Sequence, residues 1–140
     1  MKEKHGVTAI IYDEADHHRF FLLLHRVLNW SGWEFCKGGI DGTESPDQAV
    51  TREISEETGL EKIWVVSRRP QKISWSSKGL KYGYTPFLVR AQMHEPIDLE
   101  QEIIEHDAYK WVPEKNVESM LAHEDNKKVF KEALQILLSK

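Results

Sequence analysis

The chain has a single cysteine, Cys36, among 140 residues. That excludes a disulfide framework and any zinc site built from several cysteines. A reducing, cytoplasmic setting is the expectation. No apolar run is long enough to span a bilayer, and the opening MKEKHGVTAIIYDEADHH holds too short an apolar stretch for a signal peptide. No long basic run is present either, and the formal net charge is −4. Stable binding of duplex nucleic acid through neutralised phosphates is therefore not expected, whereas a small phosphate-rich ligand is compatible. Internal repeats, low-complexity tracts and linker-like stretches are also missing. With 40% hydrophobic and 30% charged residues, residues 1–140 are expected to form one domain with a core of its own, as a monomer or a homodimer.

The elements that are present alternate. Residues 6–12 read as a strand, residues 13–16 as a polar turn, and residues 19–26 as a strand buried on both faces. A loop with Trp30 and Trp33 leads to a short strand at 34–37. Strands are expected from residue 62 and at 71–75, 82–90 and 108–112. Pro86 points to an edge strand or a bulge. Residues 94–107, HEPIDLEQEIIEHD, form an acidic connector. Helices are expected near 114–122 and 124–138, the second with an apolar face through Val129, Phe130, Ala133, Leu134, Leu137 and Leu138. Interleaved strands and helices predict a layered α/β fold.

The stretch GGIDGTESPDQAVTREISEETGL, residues 38–60, is unlike the rest. Ser45 is placed as a helix N-cap, Pro46 at the first helical position, and Gln48 completes a capping box. Gly59 suits the left-handed residue after the helix, with Leu60 as its apolar partner. At about 100° per residue, Val50 and Ile54 share a packing face. Glu57, Glu53 and Glu56 follow on the adjoining flank, and Arg52 can pair with Glu56 four residues on. Taken alone, such a helix is most often a solvated acidic face. Unpaired carboxylates this close repel and hold protons, a penalty that hard divalent cations remove.

Gly38, five residues, Glu44, seven residues, then Arg52-Glu53-Ile54-x-Glu56-Glu57-x-Gly59-Leu60 carries the Nudix box at every specified position. At average residue usage a chance occurrence at a given start is below about one in a hundred million. The sequence resembles the Nudix hydrolase family in this box and in its placement after two strands and before a hairpin. That resemblance implies an α/β/α sandwich with a mixed β-sheet and a loop–helix–loop. It also implies hydrolysis of a nucleoside diphosphate linked to a group X, with Mg2+ or, in its place, Mn2+. By the same resemblance Glu53, Glu56 and Glu57 are metal ligands, one of them a possible base, and Arg52 orients them. Glu44 braces the loop. The Gly38 carbonyl is the implied backbone ligand, with Gly39 as the alternative.

Two further segments bear on substrate. Trp33-Glu34-Phe35-Cys36-Lys37-Gly38 and Glu105-His106-Asp107-Ala108-Tyr109-Lys110-Trp111-Val112 resemble segments of the diadenosine tetraphosphate (Ap4A) hydrolase branch. There, Glu105 is implied as a further metal ligand or base, and Tyr109 and Trp111 as core and groove wall. Cys36 stands where that branch has proline, and Thr43 where it has glycine. The Gly38-Gly39-Ile40 run with Glu44-Ser45 resembles the RNA pyrophosphohydrolases instead, which commonly have glutamine in place of Lys37. Both branches stay open, beside nucleoside triphosphates and ADP-ribose as substrates. Lys37, Lys72 and Lys81 are the candidate phosphate-binding cations. Tyr82 and Tyr84 alternate to one side of their strand and are candidates to stack on a base. A nucleotide-sensing module without catalysis is the reading from another class; it would be expected to have lost box glutamates, and all are here.

Overall fold

β1 (Lys2–Ala15) carries two apolar sets on alternate sides, and this divides the molecule into layers. Ile10 and Tyr12 enter one buried cluster, while Val7, Ala9 and Ile11 enter another. β2 (His18–Arg26) repeats the division, with Phe21 and Leu23 on one face and Leu22 and Leu24 on the other. The near-continuous apolar run is thus a strand buried on both faces. In the computed structural model, which describes residues 2–68 and 73–139, the sheet is mixed and lies between helices. α1 (Pro46–Thr58) covers one face through Ala49, Val50 and Ile54. α2 (Glu114–Met120) and α3 (Glu124–Leu138) cover the other through Val117, Val129, Phe130, Ala133 and Leu137. This is an α/β/α sandwich.

The sheet splits at its centre. β1 and β2 pair only beside their turn, Tyr12–Ala15 against His18–Phe21. Beyond that they diverge, and β3 (Gly32–Glu34) takes the edge of β2 while β4 (Cys36–Gly39) takes that of β1. The short strand expected at 34–37 is therefore two strands, broken at the buried Phe35. Trp33 belongs to β3 rather than to a loop. The β1–β2 turn is also tighter than the sequence implies. Only Asp16 and His17 form it, both at positive φ, as a two-residue turn matching strand twist requires.

β5 (Trp64–Arg68), β6 (Ile73–Ser77) and β7 (Leu80–Arg90) complete one side. β7 runs parallel to β1 from Lys2↔Leu80 to Tyr12↔Arg90, so it is interior, and the edge position expected from Pro86 is corrected. On its other side, among the described residues, β6 pairs from Ile73↔Tyr84 and β5 as far as Arg68↔Phe87. The β6–β7 turn is Lys78-Gly79, both at positive φ. β8 (His106–Pro113) pairs with β2, and there Tyr109 is 45% exposed, so it is not a core residue.

Candidate metal and phosphate site

α1 begins and ends where its capping residues place it. The Ser45 side chain accepts from the Gln48 N–H, and the Gln48 side chain accepts from the Ser45 N–H at 2.9 Å. Gly59 ends the helix at φ 77°. The three glutamates consequently project from the C-terminal half, where the helix dipole disfavours negative charge and the last turn carries no basic residue. They are not equally placed. Glu56 is exposed, Glu53 is largely covered, and Glu57 is buried at 3% exposure. The acidic flank therefore runs outward from beside the packing face, from buried Glu57 through Glu53 to exposed Glu56.

Arg52 ties the loop to the helix. Its guanidinium donates to both Glu44 oxygens (2.7 and 2.9 Å), to Glu53 (2.8 Å), to Glu56 (3.0 Å) and to the Gly39 carbonyl (2.8 Å). The Glu44 carboxyl, which also accepts from the Asp41 N–H, is held down to about 2. The Gly39 carbonyl, the alternative backbone ligand, thus already accepts from Arg52. Gly38 lies against the Glu53 carboxylate so closely that a Cβ there would collide with it. Only glycine permits that approach.

Glu57 is enclosed by β4. Its Oε1 accepts from the Lys37 N–H at 3.1 Å and from the Cys36 thiol at 3.2 Å. Burial pushes the Glu57 carboxyl well above the ordinary carboxylate range, and Glu105 and Glu53 beside it add to the rise. Burial likewise raises Glu53, against the pull of Arg52. Burial and the facing Glu57 push the Cys36 thiol up, which leaves a small buried donor, not a nucleophile.

The acidic connector closes over this end of α1. Asp98 N–H bonds to Thr58 O at 2.8 Å, and Gln101 Nε2 to Glu56 O at 2.9 Å. Those bonds bring Glu100, Glu102 and Glu105 opposite Glu53, Glu56 and Glu57, around an open cleft of 550 Å³. Ligand atoms of Glu57, Glu105 and His106 lie within 4.8 Å of one another, and His106 turns Nε2 to Glu34 at 2.8 Å. The remaining donors are oxygens. Crowded carboxylates of hard oxygen, with the Glu53 and Glu57 pKa values raised, fit Mg2+ or Mn2+.

Across β4 lies an aromatic patch. Lys37 Nζ sits 5.1 Å above the Trp75 ring, which stacks with Tyr82 at 5.0 Å and meets Tyr84 at 4.8 Å. Tyr82 and Tyr84 do share one side. Tyr84 covers Gly6, where a Cβ would strike its ring. Burial, with Glu53 next in weight, pushes its hydroxyl up to about 12. Lys81 alternates onto the opposite side of β7 and is exposed, so it does not join Lys37. Lys72 lies outside the described residues. Trp75 also borders a separate cavity of 290 Å³ against the first turn of α3.

Sequence reasoning missed two residues next to the site, Arg26 and Glu34. Glu34 is fully buried and reaches Arg26, Lys37 and His106. The available signal was a charge set between Trp33 and Phe35 in a strand. Glu100 and Glu102 were read only as connector charge. A separate cavity of 680 Å³ lies at the far end by His17, His18 and the Arg19–Glu114 pair, away from every carboxylate just described.

The NUDIX domain family model matches residues 2–133. An RNA pyrophosphohydrolase of Nitratiruptor sp. is 37% identical over 94 residues, and one of Campylobacter jejuni subsp. doylei is 31% identical over 100 residues. These alignments cover 61% and 65% of this chain and span less than two thirds of each relative's length, 61% and 64%. A C. elegans Ap4A hydrolase structure superposes with a TM-score of 0.87 at 19% identity, covering 98% of this chain and 99% of that one, a likeness of fold. The chain belongs to the NUDIX domain family.

Proposed function

We propose that residues 1–140 form a Nudix hydrolase domain that cleaves a nucleoside diphosphate linked to X in the presence of Mg2+. The observation that carries this is the 550 Å³ cleft, which six carboxylates line. Glu53, Glu56 and Glu57, with the Gly38 carbonyl and Glu105, would hold the cations. Bound there, Mg2+ would polarise phosphoryl oxygens and lower the pKa of water. Arg52 fixes Glu53 and Glu56, so the donors are set before substrate arrives. Glu105, carried by the connector and not by α1, is the carboxylate we assign to take a proton from the attacking water. Lys37 offsets charge on the phosphoryl group from the opposite side.

For substrate, we infer a dinucleoside tetraphosphate of the Ap4A type, cut to a nucleoside triphosphate and monophosphate. Supporting this are the Trp33–Gly38 and Glu105–Val112 segments and the patch of Trp75, Tyr82 and Tyr84, which offers a base a stacking surface beside Lys37. A second reading, removal of pyrophosphate from 5′-triphosphate RNA, is favoured by the printed names of the 31–37% identical relatives. Lys37, where the RNA enzymes commonly carry glutamine, and the net charge of −4 speak for the smaller ligand. A magnesium-dependent panel of Ap4A, dNTPs, ADP-ribose and triphosphorylated RNA, with products resolved by chromatography, decides between them. Preferred turnover of Ap4A to ATP and AMP is expected. Pyrophosphate released from RNA, with Ap4A left intact, would transfer the assignment to the second reading.

A further inference from the structure

Glu34 is a charged side chain with no exposure to solvent, held between two strands of the split sheet. An ion withdrawn from water costs several kcal/mol even after relaxation, so a buried carboxylate is poor evidence of stabilisation. Its partners indicate another use. Oε2 accepts from Arg26 Nη1 (3.2 Å) and from His106 Nε2 (2.8 Å). Arg26 Nη1 is also 3.9 Å from Glu105 Oε2, and His106 adjoins Glu105 in the chain. The backbone between them is pinned as well, since Val27 N–H bonds to Glu105 O at 2.8 Å. Oε1 is the one buried side-chain polar atom without a hydrogen bond among the described residues. It faces Lys37 Nζ at 3.5 Å, on the residue whose backbone N–H holds Glu57.

We propose that Glu34 is a positioning residue of the hydrolytic site, setting the Lys37 ammonium with one oxygen and, through Arg26 and His106, the Glu105 carboxylate with the other. Lys37 and Glu105 stand on opposite sides of the transferred phosphoryl group in the hydrolase reading above, on which this inference rests. A single rigid carboxylate beneath both holds the distance between them while each stays free on its outer side. The 3.5 Å separation leaves the ammonium able to turn to a phosphate oxygen.

The test is a set of double-mutant cycles on kcat/KM with Mg2+ and the best substrate of the panel. Glu34→Gln keeps the shape and removes the charge; it is expected to lower kcat/KM about tenfold or more, as loss of an orienting partner does. That loss is expected to shrink in a Lys37→Gln background and again in a Glu105→Gln background, because Glu34 acts through those groups. His106→Gln separates the two routes: non-additive with Glu105→Gln and additive with Lys37→Gln. It also serves should Glu34→Gln fail to fold, as judged by circular dichroism. Losses that add fully in every pair, or wild-type turnover by a folded Glu34→Gln protein, overturn the positioning role alone. A wild-type protein inert toward every phosphoanhydride overturns the hydrolase reading, and this role with it.

Discussion

Among single residues, Glu57 shows how burial and chemistry compete. At 3% exposure it is the deepest of the three box glutamates, and its Oε1 is shared by the Lys37 N–H and the Cys36 thiol. Burial makes its charged form costly, a cost that a cation ligated on the remaining lone pairs would offset. Glu57→Gln is therefore expected to lower turnover by about two orders of magnitude or more while leaving the fold intact. The same variant removes a desolvated charge, so its metal-free melting temperature at neutral pH should be no lower than wild type. Near-wild-type turnover would sink the account of a carboxylate cation site. Tyr84 offers a second test, on the binding side. Its ring meets Trp75 and covers Gly6, next to the Gly38 carbonyl. Tyr84→Ala should raise KM for a dinucleotide substrate more than it lowers kcat, and an unchanged KM would remove this residue from base recognition.

Among elements, α1 was the most legible because its signals are local. Ser45, Pro46, Gln48 and Gly59 act within a few residues of one another, and each occupies the position its chemistry assigns. Ser45→Ala deletes one half of the capping box, and about 1 kcal/mol of stability should go with it. For a chain of this size that is a fall in Tm of roughly 2–6 °C by calorimetry. A melting temperature within error of wild type would show the cap to be redundant. Long-range placement was much less legible. Apart from Glu105, the acidic connector reads as solvated charge, and the Asp98–Thr58, Gln101–Glu56 and Val27–Glu105 hydrogen bonds place Glu100, Glu102 and Glu105 by the helix. Nothing local in the sequence encodes those bonds. Pro86 misled for a similar reason, since β7 takes β1 on one side and β5 and β6 on the other, and the long parallel ladder with β1 joins residues far apart in sequence. Glu34 would ordinarily read as an outward charge on a short strand, and its three partners come from β2, β4 and β8.

Across the whole molecule, the site is a strain on the fold unless a cation is bound. Glu57 and Glu53 both have pKa values raised in the folded state, chiefly by burial. Between the ordinary carboxylate value and those raised values the native state holds more protons than the unfolded chain. Stability contributed by these groups is therefore full below about pH 4.5 and is lost as pH rises through the folded values. Glu44 has the opposite sign, since Arg52 holds it at about 2, and its contribution is present above the unfolded value and lost on acidification. Above about pH 5 only the raised pair still matters among these carboxylates. A cation that binds the folded state alone adds stability by mass action, and it binds better as the glutamates lose their protons. Hence Mg2+ should raise the melting temperature little near pH 5 and progressively more toward pH 8, relative to protein in chelator. The difference between the two curves is the quantity to read, because every contribution common to both cancels in it. Curves that run parallel across roughly pH 5 to 8 would mean that Glu53 and Glu57 do not hold the ion. A widening gap would tie the burial of Glu57, the placement of acids at the helix C-terminus and the metal requirement to one cause.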